Sequence, residues 1–524
     1  MSVADLPERL NAAAALVDVH IREGRSAKPA ILCAERTITY ADLHEGVNRL
    51  GNALKELDVR MEERVAILLP DSPEFAFAFF GAMKIGAVAV PLNTLLTPRD
   101  YEYLLNDCRA RVLIIHSTLL DHTAPVRGNL RYLEHVIVSV GTGHAAPLHG
   151  HLSLQGLMQN ASASLDAVNT SKDDAAFWLY SSGTTGFPKG TIHLHHDMIV
   201  SADTYARQTL GLLESDVCFS VAKLFFAYGL GNGLYFPLRV GATTVLLPDR
   251  PTPDKVFEVL DRYQPTVFYS VPTSYAALLH AAEQNGRLSL GRVRLCVSAG
   301  EPLPKPIYEK WLNRFGVQIL DGIGTTEILH IFISNRPGQA RPGSTGQIVP
   351  GYEARIVDDE GRELPPGQIG ILLIKGDSIA AGYWNKHEDT KQTFRGEWIN
   401  TRDKFMVDED GFFWYAGRAD DMIKVSGYPV WPTDIESVLQ GHPAVLESGV
   451  VGAPDAEGLT KPKAYVVLKP GHTPSQHLAR ELQEFVKKNA APYKYPRMVE
   501  FVDALPKTAT GKIQRYKLRE KTRP

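Results

Sequence analysis

The segment that most constrains this chain spans residues 180–190, reads YSSGTTGFPKG, and directly follows the apolar run at residues 175–179. The apolar run predicts a buried strand. The glycines after it permit positive φ angles and close backbone approach, the hydroxyl groups donate hydrogen bonds, and Lys189 adds a positive charge. This composition predicts a loop that holds phosphate. Pro188 and Gly190 flank the lysine, so the segment is not a Walker A loop, and P-loop NTPase folds are disfavoured.

The size and charge of the chain limit the class of protein to which it can belong. With 524 residues it is too long for one hydrophobic core, so we expect a large multi-lobed body and at least one separate unit. The formal net charge of −3 gives the whole molecule no reason to bind nucleic acid or an anionic membrane, and we expect neither as a partner. We expect a soluble enzyme, either a monomer or a homodimer.

The cysteines and the apolar stretches favour a cytoplasmic location. The four cysteines lack the spacing of a zinc site or of a disulfide framework, which fits a reducing compartment. Residues 1–10 lack the apolar core of a secretory signal. The most apolar stretch, residues 75–92, is interrupted by Lys84, so it does not fit a membrane span.

Strand and helix patterns alternate as far as residue 298. A predicted hairpin at residues 30–39 and a predicted helix at residues 40–57 are followed by apolar runs separated by helical patterns. The apolar runs that predict strands are residues 65–69, 87–90, 112–115, 243–247, 266–271 and 294–298. This alternation predicts an α/β fold with two stacked, mostly parallel sheets covered by helices.

The pattern changes after residue 343. Short alternating strands with Gly, Pro and Asp turns at residues 343–375 predict an antiparallel, barrel-like lobe. The stretch beyond Asp420 contains two strand patterns and two helical patterns, enough for a small α+β domain. We therefore expect an N-terminal domain at residues 1–419 and a small, mobile C-terminal domain at residues 420–524.

Four further polar motifs accompany the predicted phosphate loop. They are SAGEP at residues 298–302, DGIGTTE at 321–327, TRD at 401–403 with Arg418 downstream, and PKTATGK at 506–512. Each alone is short enough to be an ordinary turn, a strand exit or a solvated charge. The first lies at the carboxyl end of a predicted strand, where open α/β sheets bind ligands. The second follows a strand predicted at residues 317–320 and lacks the third glycine of a dinucleotide fingerprint. If it stood alone, a structural turn would be favoured.

Taken together, the five motifs resemble the signatures of the adenylate-forming enzymes, the ANL superfamily of acyl-CoA synthetases, luciferases and carrier-loading adenylation domains. The resemblance implies that ATP, Mg²⁺ and coenzyme A are used. The residues it implies for ATP or AMP binding are Ser181, Ser182, Gly183, Thr184, Thr185, Gly186, Lys189, Gly300, Glu301, Pro302, Asp321, Gly322, Ile323, Gly324, Thr325, Thr326, Asp403, Arg418 and Lys512. Among them, the backbone of residues 300–302 and 321–322 would hold the adenine, and Asp403 and Arg418 would bind the ribose.

The resemblance also implies catalytic roles for Lys512, Lys189, Thr326 and Glu327. Thr326 would contact phosphate, and Glu327 would hold the Mg²⁺ bound to ATP, as suits an anionic oxygen ligand and a hard cation. Lys512 would be delivered by the mobile domain. Acetylation of Lys512 would remove its charge and stop the first step, so a lysine acetyltransferase and a deacetylase are hypothesised as regulatory partners.

Two half-reactions follow from the resemblance. A carboxylate first displaces pyrophosphate from ATP, and a thiol then displaces AMP from the acyl-adenylate. The C-terminal domain would move between them about a hinge at Asp420, and Lys424 and Gly427 would then face the channel for coenzyme A.

The acid-binding residues are implied by two aromatic segments. Residues 223–233, KLFFAYGLGNG, and residues 328–332, ILHIF, resemble the benzoate–CoA ligase branch, whose reaction belongs to aromatic compound degradation. The residues expected to line the acid pocket are Phe226, Ala227, Tyr228, Gly229, His330 and Ile331. Aromatic walls suit an aryl ring, so the small-molecule substrates expected are benzoate or a close analogue, ATP and coenzyme A.

Other interpretations remain open. A ligase for a different aryl acid, or an enzyme that loads an aryl acid onto a carrier protein, would share the nucleotide motifs. A non-enzymatic scaffold or sensor is disfavoured, because the charged residues of the signatures are present. His193, His195 and His196 lack the spacing of a complete metal site, so we expect them to pack or hydrogen-bond near the nucleotide.

Overall fold

The computed structural model describes residues 3–141, 150–181, 188–418, 421, 423–425, 428–430, 432–455, 460–490, 494–507 and 513–522. Its strands are β1 (Pro29–Cys33), β2 (Arg36–Thr39), β3 (Arg64–Leu68), β4 (Val88–Pro91), β5 (Val112–His116), β6 (His135–Ser139), β7 (Leu152–Ser153), β8 (Ala175–Ser181), β9 (Lys189–Leu194), β10 (Val217–Ser220), β11 (Thr243–Val245), β12 (Val267–Ser270), β13 (Leu295–Ser298), β14 (Ile319–Thr325), β15 (Leu329–Ser334), β16 (Gln347–Ile348), β17 (Tyr352–Val357), β18 (Gly370–Gly376), β19 (Gly382–Tyr383), β20 (Phe394–Arg395), β21 (Trp398–Val407), β22 (Phe413–Arg418), β23 (Ile423–Val425), β24 (Tyr428–Val430), β25 (Val445–Pro454), β26 (Thr460–Leu468) and β27 (Met498–Phe501).

The α-helices are α1 (Val19–Arg22), α2 (Tyr40–Glu56), α3 (Pro73–Lys84), α4 (Pro98–Asp107), α5 (Leu120–Thr123), α6 (Leu154–Asn160), α7 (His195–Ser201), α8 (Ala227–Leu230), α9 (Phe236–Val240), α10 (Pro253–Tyr263), α11 (Pro272–Asn285), α12 (Lys305–Phe315), α13 (His387–Thr393), α14 (Pro432–Gln440), α15 (Gln476–Asn489) and α16 (Arg515–Glu520). Short π-helical segments at Ala14–Asp18, Ala202–Thr209 and Gly231–Tyr235 extend three of them.

The first large sheet has eight strands in the order β19-β9-β8-β4-β3-β5-β6-β7. The strands from β8 to β7 are parallel, whereas β9 and β19 add an antiparallel edge. The central strands are buried and rich in Val, Ile and Leu, as expected where helices cover both faces. Because β8 and β9 pair antiparallel, the predicted phosphate loop joins the two strands of a hairpin.

The second large sheet has nine strands in the order β16-β15-β14-β13-β12-β10-β11-β1-β2. Its centre is parallel and its edges are antiparallel, so the prediction of two mostly parallel sheets is confirmed. The strand predicted at residues 317–320 has different bounds in the structure. Strand β14 spans Ile319–Thr325, because residues 322–325 pair with β15, a tertiary contact that local composition does not reveal.

Helices α2 and α3 help to form the core shared by the two sheets. Thr39 caps α2, since its hydroxyl accepts a hydrogen bond from the backbone N–H of Asp42 and the carboxylate of Asp42 accepts one from the N–H of Thr39. Every residue of α3 except Glu74 is buried. Its phenylalanines belong to one buried cluster with Phe177 of β8 and Tyr269 of β12, so a single core joins both sheets.

A third, antiparallel sheet contains β17, β18, β21, β20 and β22. It confirms that the pattern after residue 343 encodes an antiparallel lobe. Within it Asp403 of β21 lies opposite Arg418 of β22. This register brings the two predicted ribose-site residues to the same place in the sheet.

The C-terminal part contains the three-stranded sheet β25-β26-β27 and helices α14 and α15. Ile435, Val450 and Leu482 belong to a buried cluster of this part alone, which agrees with the predicted small α+β domain. The predicted boundary at Asp420 lies outside the described residues and stays a prediction. Within the part of the chain that the structure describes, no helix has the length and apolarity needed to cross a membrane.

Candidate active site

A cleft of about 1420 Å³ lies where the two large sheets, the antiparallel sheet and the C-terminal part meet. The predicted nucleotide-site and catalytic residues that line it are Ser181, Lys189, Gly300, Glu301, Pro302, Asp321, Gly322, Ile323, Gly324, Thr325, Thr326, Glu327 and Asp403. The fold thus gathers around one cavity residues from motifs that are separated by more than two hundred positions in the sequence.

The ends of the phosphate loop are fixed by the β8–β9 hairpin. Ser181 and Lys189 are cross-strand partners. The side chain of Lys189 is almost fully buried, forms an ion pair with Asp389 of α13 and lies 5.2 Å from the ring centroid of Tyr383. The lysine therefore lies at the cleft beside an anionic group, and a bound phosphate would compete with that carboxylate for it.

Part of the predicted phosphate loop is not described. Ser182, Gly183, Thr184, Thr185 and Gly186 lie outside the described residues, so their contacts with phosphate stay predictions.

Glu327 is held by a tyrosine that the sequence did not reveal. The hydroxyl of Tyr383 donates a hydrogen bond to Glu327 Oε1 across 2.7 Å. Burial, reinforced by the charge of Glu327, raises the pKa of Tyr383 well above its usual range, so this hydroxyl remains a donor. The carboxylate lines the cleft, and anionic oxygen is the donor type that Mg²⁺ prefers, so the residues present fit the cation.

Two glycines allow β15 to approach β14 closely behind the cleft. A Cβ atom at Gly324 would lie 2.7 Å from the carbonyl oxygen of Leu329, and one at Gly322 would lie 2.9 Å from Cδ1 of Ile331. Both distances are below van der Waals contact. The pattern Gly-x-Gly therefore serves the packing of the two strands, and it places the segment 329–331 directly behind the nucleotide motif.

The side of the cleft predicted to hold the adenine is lined by Gly300, Glu301 and Asp321. Gly300 has φ of 92°, a conformation that favours glycine. Burial raises the pKa of the Asp321 carboxyl well above its usual range. The backbone N–H of Ile513 donates to Glu301 Oε1 across 3.2 Å. The segment that follows Lys512 is thus bound to the predicted adenine motif of the large domain.

Five C-terminal residues with predicted roles lie outside the described residues or are described only in their backbone. Lys512, Asp420 and Gly427 lie outside the described residues, and for Arg418 and Lys424 the structure describes the backbone alone. Their roles stay predictions. The described neighbours of Lys512 are well anchored, since Arg515 forms an ion pair with Glu436 at 2.6 Å.

The predicted acid-site residues cluster on α8 and β15, behind β14. The hydroxyl of Tyr228 donates to the carbonyl of Ser270 at 2.8 Å, and its ring meets the ring of His330 edge-on with centroids 4.5 Å apart. His330 Nε2 donates to Asn232 Oδ1 at 2.9 Å, and burial lowers the pKa of His330 well below its usual value, so the ring is neutral. Phe236 stacks on the same imidazole.

The other four acid-site residues lie in the same region. Phe226 and Ala227 are half-buried, whereas Ile331 is buried. A Cβ atom at Gly229 would lie 2.1 Å from the carbonyl oxygen of Lys223, so the start of α8 requires glycine there. Helix α8 packs against β15, where Tyr228 meets His330, but none of the six residues is among those that line the cleft, and their contact with an acid stays a prediction.

The three histidines after the phosphate loop make hydrogen bonds. His195 Nδ1 accepts from the backbone N–H of Ala12 at 3.1 Å. His196 Nδ1 donates to the carbonyl of Lys172 at 3.0 Å, and His193 contacts the carbonyl of Thr326. The last of these contacts lies at the predicted nucleotide site, as anticipated for this cluster.

Two models of protein families match the chain. The model of the AMP-binding enzyme matches residues 19–384, and that of the AMP-binding enzyme C-terminal domain matches residues 434–512. The chain belongs to the AMP-binding enzyme family. Enzymes of this family that act as CoA ligases use ATP and coenzyme A as substrates, with Mg²⁺ as the usual partner of ATP. The family assignment confirms the resemblance inferred from the five motifs.

Two curated relatives of this AMP-binding enzyme match over almost their whole length. The benzoate–CoA ligase of Thauera aromatica is 50% identical, with 98% of this chain and 96% of the relative covered. The 4-hydroxybenzoate–CoA/benzoate–CoA ligase of Rhodopseudomonas palustris is 45% identical, with 98% and 94% covered.

Two solved structures share the fold. The anthranilate CoA ligase AuaEII in complex with anthranoyl-AMP has a TM-score of 0.96 and 46% identity, covering 100% of this chain and 99% of that one. A benzoate CoA ligase from Burkholderia xenovorans LB400 has a TM-score of 0.89 and 46% identity, covering 97% and 99%.

Proposed function

We propose that this AMP-binding enzyme is an AMP-forming aryl acid–CoA ligase that converts benzoate and close analogues to the CoA thioester, releasing AMP and pyrophosphate. The observation that carries the proposal is the edge-on pair of Tyr228 and His330, directly behind the nucleotide cleft. Phe236 is buried and stacks on the same imidazole, which fixes the ring of His330 in this pair. Aromatic side chains of this kind suit an aryl ring. The relatives above support the same substrate class.

In the first half-reaction a carboxylate oxygen of the acid bonds to the α-phosphorus of ATP. The bond from that phosphorus to the bridging oxygen of the β-phosphate breaks, and pyrophosphate leaves. Because an aromatic acid with a pKa of about 4 is already ionised at neutral pH, no general base is required. Lys189, the loop donors and Lys512 position the phosphates and offset their charge. Glu327 would hold the Mg²⁺ that accompanies ATP, which would supply further positive charge to offset that of the phosphates.

In the second half-reaction the thiol sulfur of coenzyme A bonds to the acyl carbon. The bond from that carbon to the phosphate oxygen breaks, AMP leaves, and the thiol proton passes to solvent. The C-terminal domain turns about Asp420, which removes Lys512 from the cleft and brings Lys424 and Gly427 towards the thiol. The hydrogen bond from Ile513 to Glu301 supports the view that the described arrangement belongs to the first half-reaction.

The substrate class is broader than one acid. One added methyl or hydroxyl group in an apolar pocket changes binding by only about 1–3 kcal/mol. Ring-substituted benzoates, including 2-aminobenzoate and 4-hydroxybenzoate, are therefore expected to react more slowly than benzoate but measurably. Because ATP and coenzyme A are abundant in the cytoplasm, we place the reaction there.

The test is AMP formation by the full-length protein with ATP, Mg²⁺ and a panel of aryl acids, with and without coenzyme A. We expect pyrophosphate release that depends on benzoate, and benzoyl-CoA formed in equal amount to AMP. Absence of any acid-dependent pyrophosphate release would overturn the assignment to an enzyme. Pyrophosphate release without transfer to free coenzyme A would favour an enzyme that loads a carrier protein.

A further inference from the structure

The segment from Thr326 to His330 joins Glu327 to the acid pocket, and its backbone carbonyls are held from outside the segment. Donors from three parts of the chain accomplish this. The hydrogen bonds run from His193 Nε2 to the carbonyl of Thr326 (2.7 Å), from the N–H of Ala380 to Glu327 (2.9 Å), from the hydroxyl of Ser378 to Ile328 (2.6 Å) and from the hydroxyl of Ser201 to His330 (2.6 Å). Among these four donors, only His193 also hydrogen-bonds a buried carboxylate, that of Asp197.

His193 is fully buried and donates from both ring nitrogens. Nε2 lies 2.7 Å from the carbonyl oxygen of Thr326, and Nδ1 lies 2.8 Å from Oδ2 of Asp197. A carbonyl and a carboxylate only accept hydrogen bonds, so the imidazole is the donor in both contacts. Phe177 stacks on the ring with centroids 4.9 Å apart. The imidazole has no freedom to turn away from Thr326.

The strand that carries His193 also carries the lysine of the phosphate loop. Lys189 is the first residue of β9, and His193 follows four residues later. The neighbouring strand β19 pairs with β9 and supplies Tyr383, which donates to Glu327. Strand β9 therefore carries Lys189 and, through His193, holds the backbone at Thr326, whereas the paired strand β19 holds the carboxylate of Glu327.

We propose that His193 is a positioning residue for the first half-reaction. Through the carbonyl of Thr326 it fixes Glu327 relative to Lys189, and so sets the distance between the cation and the lysine that flank the phosphates. The proposal rests on the proposed function and deepens it. Since pyrophosphate and Mg²⁺ take no part in thioester formation, His193 acts on adenylation and leaves the second half-reaction unaffected.

Two substitutions of matched size isolate the hydrogen bond to Thr326. His193→Gln retains an N–H donor at about the reach of Nε2, whereas His193→Met has a chain of the same length and no donor. Both lose the contact with Asp197, so their difference reports the donor alone. His20→Met is the control. His20 is also buried and also hydrogen-bonds a backbone carbonyl, that of Leu238 at 2.7 Å, and neither residue lines the cleft.

Three quantities are measured on each full-length variant. Calorimetry gives the Kd of α,β-methylene-ATP as a function of Mg²⁺ concentration, which requires no acid and no turnover. Benzoate-dependent pyrophosphate release gives the adenylation rate. Conversion of supplied benzoyl-adenylate to benzoyl-CoA gives the second half-reaction.

For His193→Met we expect adenylation to fall about 10- to 100-fold, as for a misplacement of catalytic groups by a fraction of an ångström. The Mg²⁺-dependent Kd should weaken by about 10-fold, and thioester formation should stay within about 2-fold. His193→Gln should recover most of both losses, and His20→Met should lower only the Tm.

Equal adenylation rates of the Gln and Met variants would overturn the proposal. Equal losses in the rates of both half-reactions, with an unchanged Mg²⁺ dependence of the Kd, would also overturn it. If the wild-type protein released no pyrophosphate with any aryl acid, the proposed function would fail. The calorimetric difference between the two variants would still decide the role of His193.

Discussion

The hydroxyl of Tyr383 lies 2.7 Å from Oε1 of Glu327 and donates a hydrogen bond to it. This bond links the edge strand of the first sheet to the DGIGTTE motif, which belongs to the second sheet. Tyr383 is on β19 and Glu327 lies between β14 and β15. The carboxylate therefore has a fixed orientation before a cation arrives, which is how preorganised electrostatic groups lower a barrier.

Tyr383→Phe should lower the adenylation rate by about 10- to 100-fold, because a hydrogen bond to a charged group contributes about 1.5–3 kcal/mol. The measurement is benzoate-dependent pyrophosphate release at several Mg²⁺ concentrations. Tyr40→Phe is the matched control, since the hydroxyl of Tyr40 is also buried and donates to the carbonyl of Ala242 at 2.6 Å. A loss of the same size in both variants would contradict a specific role for Tyr383.

Lys512→Ala and Asp420→Pro should affect opposite half-reactions. Ile513, the residue after Lys512 in the sequence, donates a hydrogen bond to Glu301 at the cleft, which supports the predicted role of Lys512 in the first half-reaction. Lys512→Ala should lose at least about 100-fold in adenylation and still convert supplied benzoyl-adenylate to thioester. A hinge fixed by proline in Asp420→Pro should do the reverse. Equal losses in both half-reactions for both variants would exclude the alternation of domains.

Gly324→Ala should impair both nucleotide and acid binding. The new Cβ would lie 2.7 Å from the carbonyl oxygen of Leu329, so β15 must move away from β14. Overpacking of this kind costs about 1–3 kcal/mol, and the expected result is a lower Tm with weaker binding of ATP and benzoate. Gly128→Ala, where no heavy atom lies within 4 Å, serves as control. Unchanged binding of both ligands in Gly324→Ala would contradict the close approach of the strands.

The stability of the protein should decrease as the pH falls from 6.5 towards 4, partly through His195. Burial lowers the pKa of His195 from 6.5 to about 4, and its Nδ1 accepts from the N–H of Ala12, which only the neutral ring can do. Between these two values the unfolded chain binds a proton that the folded protein does not bind. The free energy of unfolding therefore falls with decreasing pH, with a limiting slope of about 1.4 kcal/mol per pH unit for one proton.

His195→Asn keeps an acceptor for Ala12 and removes the titration. Urea denaturation at pH 7, 5.5 and 4.5 should therefore give a smaller loss of unfolding free energy for this variant than for the wild type. Parallel pH dependences of the two proteins would show that His195 does not contribute.

Much of this fold could be predicted because its signals are local. Apolar runs such as residues 65–69 and 112–115 became β3 and β5, and the helix predicted at residues 40–57 became α2 with its cap at Thr39. Two of the short motifs begin where a strand ends, the one at residues 180–190 at the end of β8 and the one at residues 298–302 at the end of β13. Local patterns did not show that β14 continues to Thr325, because the pairing of residues 322–325 with β15 depends on residues further along the chain.

The partners that hold the site could not be predicted from the sequence. Tyr383 and Asp389 belong to no recognisable motif, and they reach Glu327 and Lys189 only because β19 pairs with β9 and α13 follows it. His193 was visible as one of three histidines, yet its bond to Thr326 spans 133 positions. Tertiary contacts of this kind leave no local pattern.

The central claim is that one cleft holds the nucleotide and the acid behind it. A crystal structure with a non-hydrolysable benzoyl-adenylate analogue tests this most directly. We predict the phosphate against Lys189 and Thr326, the adenine between Gly300 and Gly322, and the benzoyl ring against Tyr228 and His330. An analogue bound elsewhere, with Lys189 still paired to Asp389, would contradict the claim.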